Sequence, residues 1–274
     1  MQNYRSNREL WLSFFAIVCI TIIYIFVVTW LNAIPQASSL FGHSLGILGF
    51  ILMLMTETLY SLRKRSRKAH WGRMSNWLDF HIFTGLLGPY LVLLHTSWKF
   101  NGLAGVVTLL MIIVVVSGFI GRYFYTAVPR TVEGVELETS TLEAEIASIN
   151  AELSKWRFSH EDTTPSLALG LISQPEVTHS ELTLVIGRSY LNWSDRLRWQ
   201  LKMRRLKPEI HAHTKKLEYL LKRKHLLRRQ VASLAMARRL LALWHSVHIP
   251  IGMALFTAAF IHICAAIYYA TLLR

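Results

Sequence analysis

The chain has 274 residues, 53% of them hydrophobic, and a formal net charge of +14. Its apolar residues gather in runs long enough to cross a hydrocarbon core about 30 Å thick, which excludes an ordinary soluble domain and points to an all-α integral membrane helical bundle. The charge does not imply nucleic acid, because the basic groups concentrate in loops beside apolar runs, where topology and anionic lipid account for them.

Five spans are expected, near residues 11–33, 40–62, 76–98, 103–125 and 245–271. The first is too long for a removed signal peptide and lacks a small-residue cleavage site. The second opens on His43, followed by Gly46 and Gly49 on a compatible stripe, and carries Glu57 about two turns from its far end. His43 is a candidate to bind quinol or accept its proton, or else a helix cap; Glu57 is a candidate proton relay, or else the partner of a nearby arginine. The segment Arg63-Lys64-Arg65-Ser66-Arg67-Lys68 is strongly basic, whereas Leu31–Phe41 has no charged residue and the turn after His95 has only Lys99. The positive-inside rule then predicts a multi-pass protein of the inner (cell) membrane, its amino terminus cytoplasmic and its carboxyl terminus outside.

The third span holds His81 and His95, with Gly85 four residues after the first and Gly88 seven before the second. The fourth ends in Gly121-Arg122-Tyr123. An insertion follows, giving a division into 1–125 (spans one to four), 126–243 (cytoplasmic insertion) and 244–274 (span five). Within the insertion Val135, Leu142, Ile146, Ile149, Leu153 and Trp156 follow a heptad-like spacing with glutamates on the other faces. After Pro208, a basic stretch carries Leu217, Leu220, Leu221, Leu227, Val231 and Leu234. Opposite charge and matched length predict an antiparallel helical hairpin projecting from the membrane, either structural or a docking surface for a soluble electron-transfer subunit. Phe158–Lys207 between the arms shows no nucleotide, flavin or iron-sulfur motif.

On the fifth span His248 and His262 repeat the fourteen-residue spacing of His81 and His95, with Gly252 four after His248 and Ala259 three before His262. Fourteen residues rise roughly 21 Å and fall only about 40° short of four full turns, so each pair shares one helix face. A single histidine in an apolar segment is more often a satisfied polar residue; two matched pairs point to metal ligation. The third and fifth spans run in the same direction under this topology, which pairs His81 with His248 and His95 with His262 as axial ligands of two stacked haems. Gly85, Gly88 and Gly252 supply bare backbone beside a flat macrocycle. Arg122, with Arg73 and Arg130 as further candidates, is placed for the propionates of the inner haem, and Lys99 for those of the outer. Cys19 and Cys264 both lie inside spans and no Cys-x-x-Cys-His is present, so any haem is b-type and not covalently attached. His245 is a rival ligand, but its spacing to His262 puts it on another face, and Pro250 is expected to loosen the helix beside His248.

At His81, His95, His248 and His262 the chain resembles the di-haem membrane cytochromes b, a group that includes the ferric reductase and NADPH oxidase membrane domains and the b subunit of cytochrome bc complexes. The placement on spans three and five looks most like the ferric reductase type, although no flavin and nicotinamide domain follows here and the bc-type quinol signature is not evident. The resemblance implies a membrane electron conduit with two haem b groups and no catalytic side chain. Its donor and acceptor would be separate subunits, such as a c-type cytochrome, a flavin or iron-sulfur protein, or a quinone pool. The competing expectation is a non-redox membrane protein, either a metal or proton transporter using the same histidines or a scaffold for a partner complex.

Overall fold

The computed structural model describes residues 7–65, 74–128, 138–159, 180–204 and 211–272, and every regular element among them is an α-helix. In chain order these are α1 (Arg8–Leu31), α2 (Leu40–Arg65), α3 (Met74–His95), α4 (Gly102–Tyr125), α5 (Thr139–Ser159), α6 (Glu181–Ile186), α7 (Arg188–Arg204) and α8 (His211–Leu272). Five of them, α1 to α4 and α8, are long and apolar enough to cross a membrane. Arg73, Arg130, Val135 and Pro208 lie outside the described residues. The expected fifth span is the end of one 62-residue helix that runs through Pro250 without a break. Proline removes one amide donor, but a helix packed among neighbours on an apolar face tolerates that loss.

The chain divides into two compact units, the first formed by residues up to Arg122 and from Leu243 onward, the second by the residues between. In the first, α2 and α3 are antiparallel and touch backbone to backbone. A Cβ added at Gly49 would stand 2.8 Å from the Gly88 carbonyl oxygen, and one added at Gly88 would stand 2.9 Å from that of Gly49. Lipid tails give helices no hydrophobic reason to associate, so bare backbone is what brings them close enough for dispersion and hydrogen bonds to hold them. Thr56 donates its hydroxyl to that of Thr84 across the same seam at 2.7 Å. Thr21 of α1 meets the Tyr90 hydroxyl of α3 at 2.6 Å, and the first turn of α1 is fixed to the last turn of α4 by Glu9 and Arg122, 2.6 Å apart. Beyond α3, Ser97 and Trp98 both take left-handed backbone (φ 50° and 62°), a turn held by the Ser97 hydroxyl donating to the Pro35 carbonyl at 2.6 Å.

The end of α8 packs antiparallel on α4, where Leu255 and Ala259 join Met53, Val107 and Met111 in one buried cluster. Since α4 also runs against α1, and α1 runs with α3, the end of α8 is parallel to α3.

In the second unit α5 lies antiparallel to the first half of α8. Arg223 donates to Glu145 through Nε at 2.8 Å and Nη2 at 2.6 Å, while Lys216 reaches Glu152 at 3.2 Å. Along the same seam Leu142, Ile149 and Leu153 interleave with Leu220, Leu221, Leu227 and Leu234. The charges fix register; the leucines supply most of the stability, because exposed ion pairs contribute little. Leu227 is 1% exposed, so Leu227→Ala should cost about 2–5 kcal/mol. Lys216→Ala at the exposed pair should cost under about 1 kcal/mol. Hydrogen-exchange protection of the α5 amides in the full chain measures both, and equal losses would contradict this division of roles.

Candidate functional site

The seam between α2 and α3 also positions two imidazoles. His81 Nδ1 lies 3.0 Å from the Thr56 carbonyl oxygen, and His95 Nδ1 lies 2.8 Å from that of Gly42. A carbonyl only accepts, so in each ring Nδ1 holds the hydrogen, and a neutral ring then carries its lone pair on Nε2. The spacing now has a packing origin. His81, Gly88 and His95 stand seven residues apart on α3, and opposite them Thr56, Gly49 and Gly42 stand seven apart on α2. Gly46 lets the outermost ring lie flat on α2, since a Cβ there would sit 2.9 Å from His95 Cγ and Nδ1.

On the opposite pair of helices the same task is done by side chains. His248 Nδ1 lies 2.6 Å from Ser117 Oγ. The single hydroxyl hydrogen of Ser117 is directed to the Val114 carbonyl at 2.8 Å, so the oxygen accepts from His248 and this ring too keeps its lone pair on Nε2. Trp244 stacks on His248 with ring centroids 4.5 Å apart and planes at 26°, and its Nε1 donates to the Ser117 carbonyl at 2.7 Å. The indole fits because Gly121 beneath it has no side chain; a Cβ there would collide with the ring.

Across the bundle His248 lies within electrostatic range of His81, and His95 within that of His262. The apolar cluster of Met53, Met111 and Leu255, with Phe50 and Phe256 against it, occupies the stretch of helix between the two levels. His43 joins the second level, its ring edge-on to His95 at 6.2 Å while its Nδ1 reaches the Ala37 carbonyl at 3.0 Å. Glu57 is half-buried on α2, one residue beyond Thr56. His245 lies edge-on to Trp244 at 4.7 Å, one turn before His248. Among the described residues no three His, Cys, Asp or Glu converge as a metal-ion cage.

Other expected site residues have different surroundings. Arg122 is placed against Glu9 at 2.6 Å and Asn7 Oδ1 at 3.0 Å, with only 2% of the Glu9 side chain exposed, so its guanidinium neutralises a buried carboxylate. Gly88 serves the α2 contact, and a Cβ added at Gly85 would stand 3.3 Å from the Thr56 methyl. Gly252 is buried, yet a Cβ added there would meet no atom within 4 Å. Sequence reasoning missed Gly42, Thr56, Ser117 and Trp244. Backbone acceptors leave no signature in side-chain identity; Trp244, four before His248 on one helix face, was the readable signal.

Comparison with protein-family models, with curated proteins and with solved structures finds no match to this chain.

The packing of the second-level ring gives a controlled test. At Gly46 an added Cβ meets the His95 ring at 2.9 Å, whereas at Gly118 it meets nothing within 4 Å. Gly46→Ala should therefore destabilise the full chain by about 1–3 kcal/mol. Gly118→Ala should be neutral or stabilising by up to about 1 kcal/mol. Thermal unfolding in lipid nanodiscs compares them, and a Gly46 variant as stable as the Gly118 variant would contradict the described ring position.

Proposed function

We propose that the chain is a di-haem b-type cytochrome that carries electrons across a membrane, between a quinone pool or a cytoplasmic reductase and an acceptor on the outer side such as a c-type cytochrome. One observation supports this above the others: four histidines on two parallel helices come together as two pairs, and in three of them Nδ1 is already committed to a neighbour. Histidines that bind metals characteristically donate their second ring nitrogen to a carbonyl or other acceptor, which fixes the tautomer, aims the lone pair and raises its basicity.

In this reading His81 and His248 hold one haem and His95 and His262 the other. Haem, when bound, supplies one-electron chemistry at its iron, and two imidazole ligands leave no coordination position for substrate, which suits outer-sphere electron transfer. The chain's own residues then do three things. Thr56, Gly42 and Ser117 orient the ligands; Phe50, Met53, Met111, Leu255 and Phe256 keep water from the interval between the two levels; and Gly252 leaves room where a side chain would intrude. His43, beside His95, is the candidate proton acceptor for a quinol, and Glu57, next to the His81 acceptor, the candidate relay at the other level. The basic segment 63–68 and the uncharged segment 31–41 orient the amino terminus to the cytoplasm of an inner-membrane protein. Donor and acceptor belong to separate subunits.

The experiment is a reduced-minus-oxidised absorption spectrum of the purified full chain with haem quantified per polypeptide. Two haems are expected. His95→Ala and His262→Ala should each remove the same one, and His81→Ala and His248→Ala the other, leaving about half the signal in every case. A colourless chain produced with ample haem overturns the proposal, and stoichiometric zinc binding by that chain would favour the transporter reading instead.

A further inference from the structure

The helix α7 presents an apolar stripe to the outside that nothing in the haem reading uses. Tyr190, Trp193, Leu197 and Leu201 are 68%, 60%, 39% and 60% exposed. At about 100° per residue these four positions fall within roughly 80° of the helix circumference. Positions 196 and 198, both arginine, flank the stripe on its two sides. The helix carries five basic residues, Arg188, Arg196, Arg198, Lys202 and Arg204, against one acidic residue, Asp195. That acidic residue faces inward, its carboxylate accepting from Arg229 at 2.8 Å and lying 3.2 Å from His225 Nε2. With Leu191 buried on the same inward side, α7 is fixed to its own unit and its outer face carries the apolar stripe.

The start of this helix is tied to the place where a membrane span ends. Tyr123, in the last turn of α4, donates its hydroxyl to the Ile186 carbonyl at 2.6 Å. Arg188 donates to Thr126 Oγ1 at 2.8 Å and to the Tyr123 carbonyl at 3.4 Å, with its guanidinium 5.0 Å above the Tyr123 ring. The apolar run of α4 closes at Tyr125. Tyrosines at the end of a span sit at headgroup level, so α7 begins at that depth.

We propose that α7 is an interfacial helix that lies on an anionic lipid surface, with Tyr190, Trp193, Leu197 and Leu201 in the headgroup–acyl boundary and the flanking arginines on lipid phosphates. A helix with aromatic and leucine side chains on one stripe and basic residues beside it is the composition that binds in the interface plane. An acidic soluble protein would satisfy the charge, but it would not account for the anchoring of Ile186 and Arg188 to the final turn of a span. Such a contact of α7 is sensitive to lipid charge.

The test places an environment-sensitive fluorophore on Leu201→Cys in the full chain, with Cys19 and Cys264 replaced by serine. The protein is reconstituted in nanodiscs of phosphatidylcholine alone or with added phosphatidylglycerol. In the anionic discs the label should be quenched by brominated acyl chains and protected from aqueous iodide. Each basic residue at an anionic surface contributes a factor of about five to binding, so Arg198→Gln should lower the docked-to-undocked ratio about fivefold. Added salt should lower it as well. Iodide access in both lipids overturns the proposal, and so does equal shielding in both or shielding confined to discs holding two copies of the chain. Arg198 is exposed, so its variant retains the fold against which the label is read.

Discussion

The close approach of α2 to α3 at Gly49 and Gly88 is the constraint on which the rest of the first unit depends. An imidazole in a membrane must satisfy its N–H within the protein, because the hydrocarbon offers no acceptor. A helix carbonyl already accepts one bond but retains a second lone pair. That lone pair comes within reach of a side chain on the next helix only where the two backbones nearly touch. Seven residues to either side of the glycine contact, Thr56 and Gly42 present such carbonyls, and His81 and His95 take them. The hydrogen bonds, the tautomers and the direction of the remaining lone pairs therefore all follow from two residues without side chains.

The facing pair of helices reaches the same end by different chemistry. α4 and α8 have no comparable rung of bare backbone holding His248; Ser117 supplies a hydroxyl acceptor, and Trp244 braces the ring against the space above Gly121. A carbonyl is fixed by the helix and cannot turn, whereas a hydroxyl keeps its orientation only because its own hydrogen is engaged by Val114. The two sides thus differ in rigidity: at the first level His81 is held by backbone and His248 by side chains. An apolar layer separates this level from the second, which keeps the polar groups in two isolated planes and limits the dielectric screening between them.

In the second unit, charge and apolar burial have separate tasks. Glu145 with Arg223 and Glu152 with Lys216 set which residues of α5 and α8 face each other, while leucines and isoleucines fill the seam. The basic excess of α8 is in part answered by α5 and by Asp195 of α7. The excess on α7 itself has only that one internal acidic residue against it, and it borders the apolar stripe. This contrast separates α7 from the hairpin arms: the arms bury their leucines in each other, and α7 buries Leu191 but keeps Leu197 and Leu201 outside.

How much of this could be read from the sequence depends on what each feature is made of. The all-α class and the five spans were legible because they follow from apolar run length against bilayer thickness, and the hairpin because its two arms carry complementary heptads. The histidine spacing placed each pair on one helix face without reference to any neighbour. Partner identity was not legible. Arg122 meets Glu9 across more than a hundred residues of chain, Gly88 serves a helix contact, and Pro250 leaves α8 unbroken; only the packed neighbours decide each of these. Sequence by itself determined which residues lie on which face of which helix, because periodicity is local. Tertiary structure alone decided which faces meet, because that rests on backbone proximity and carbonyl acceptors, to which side-chain identity gives no direct sign.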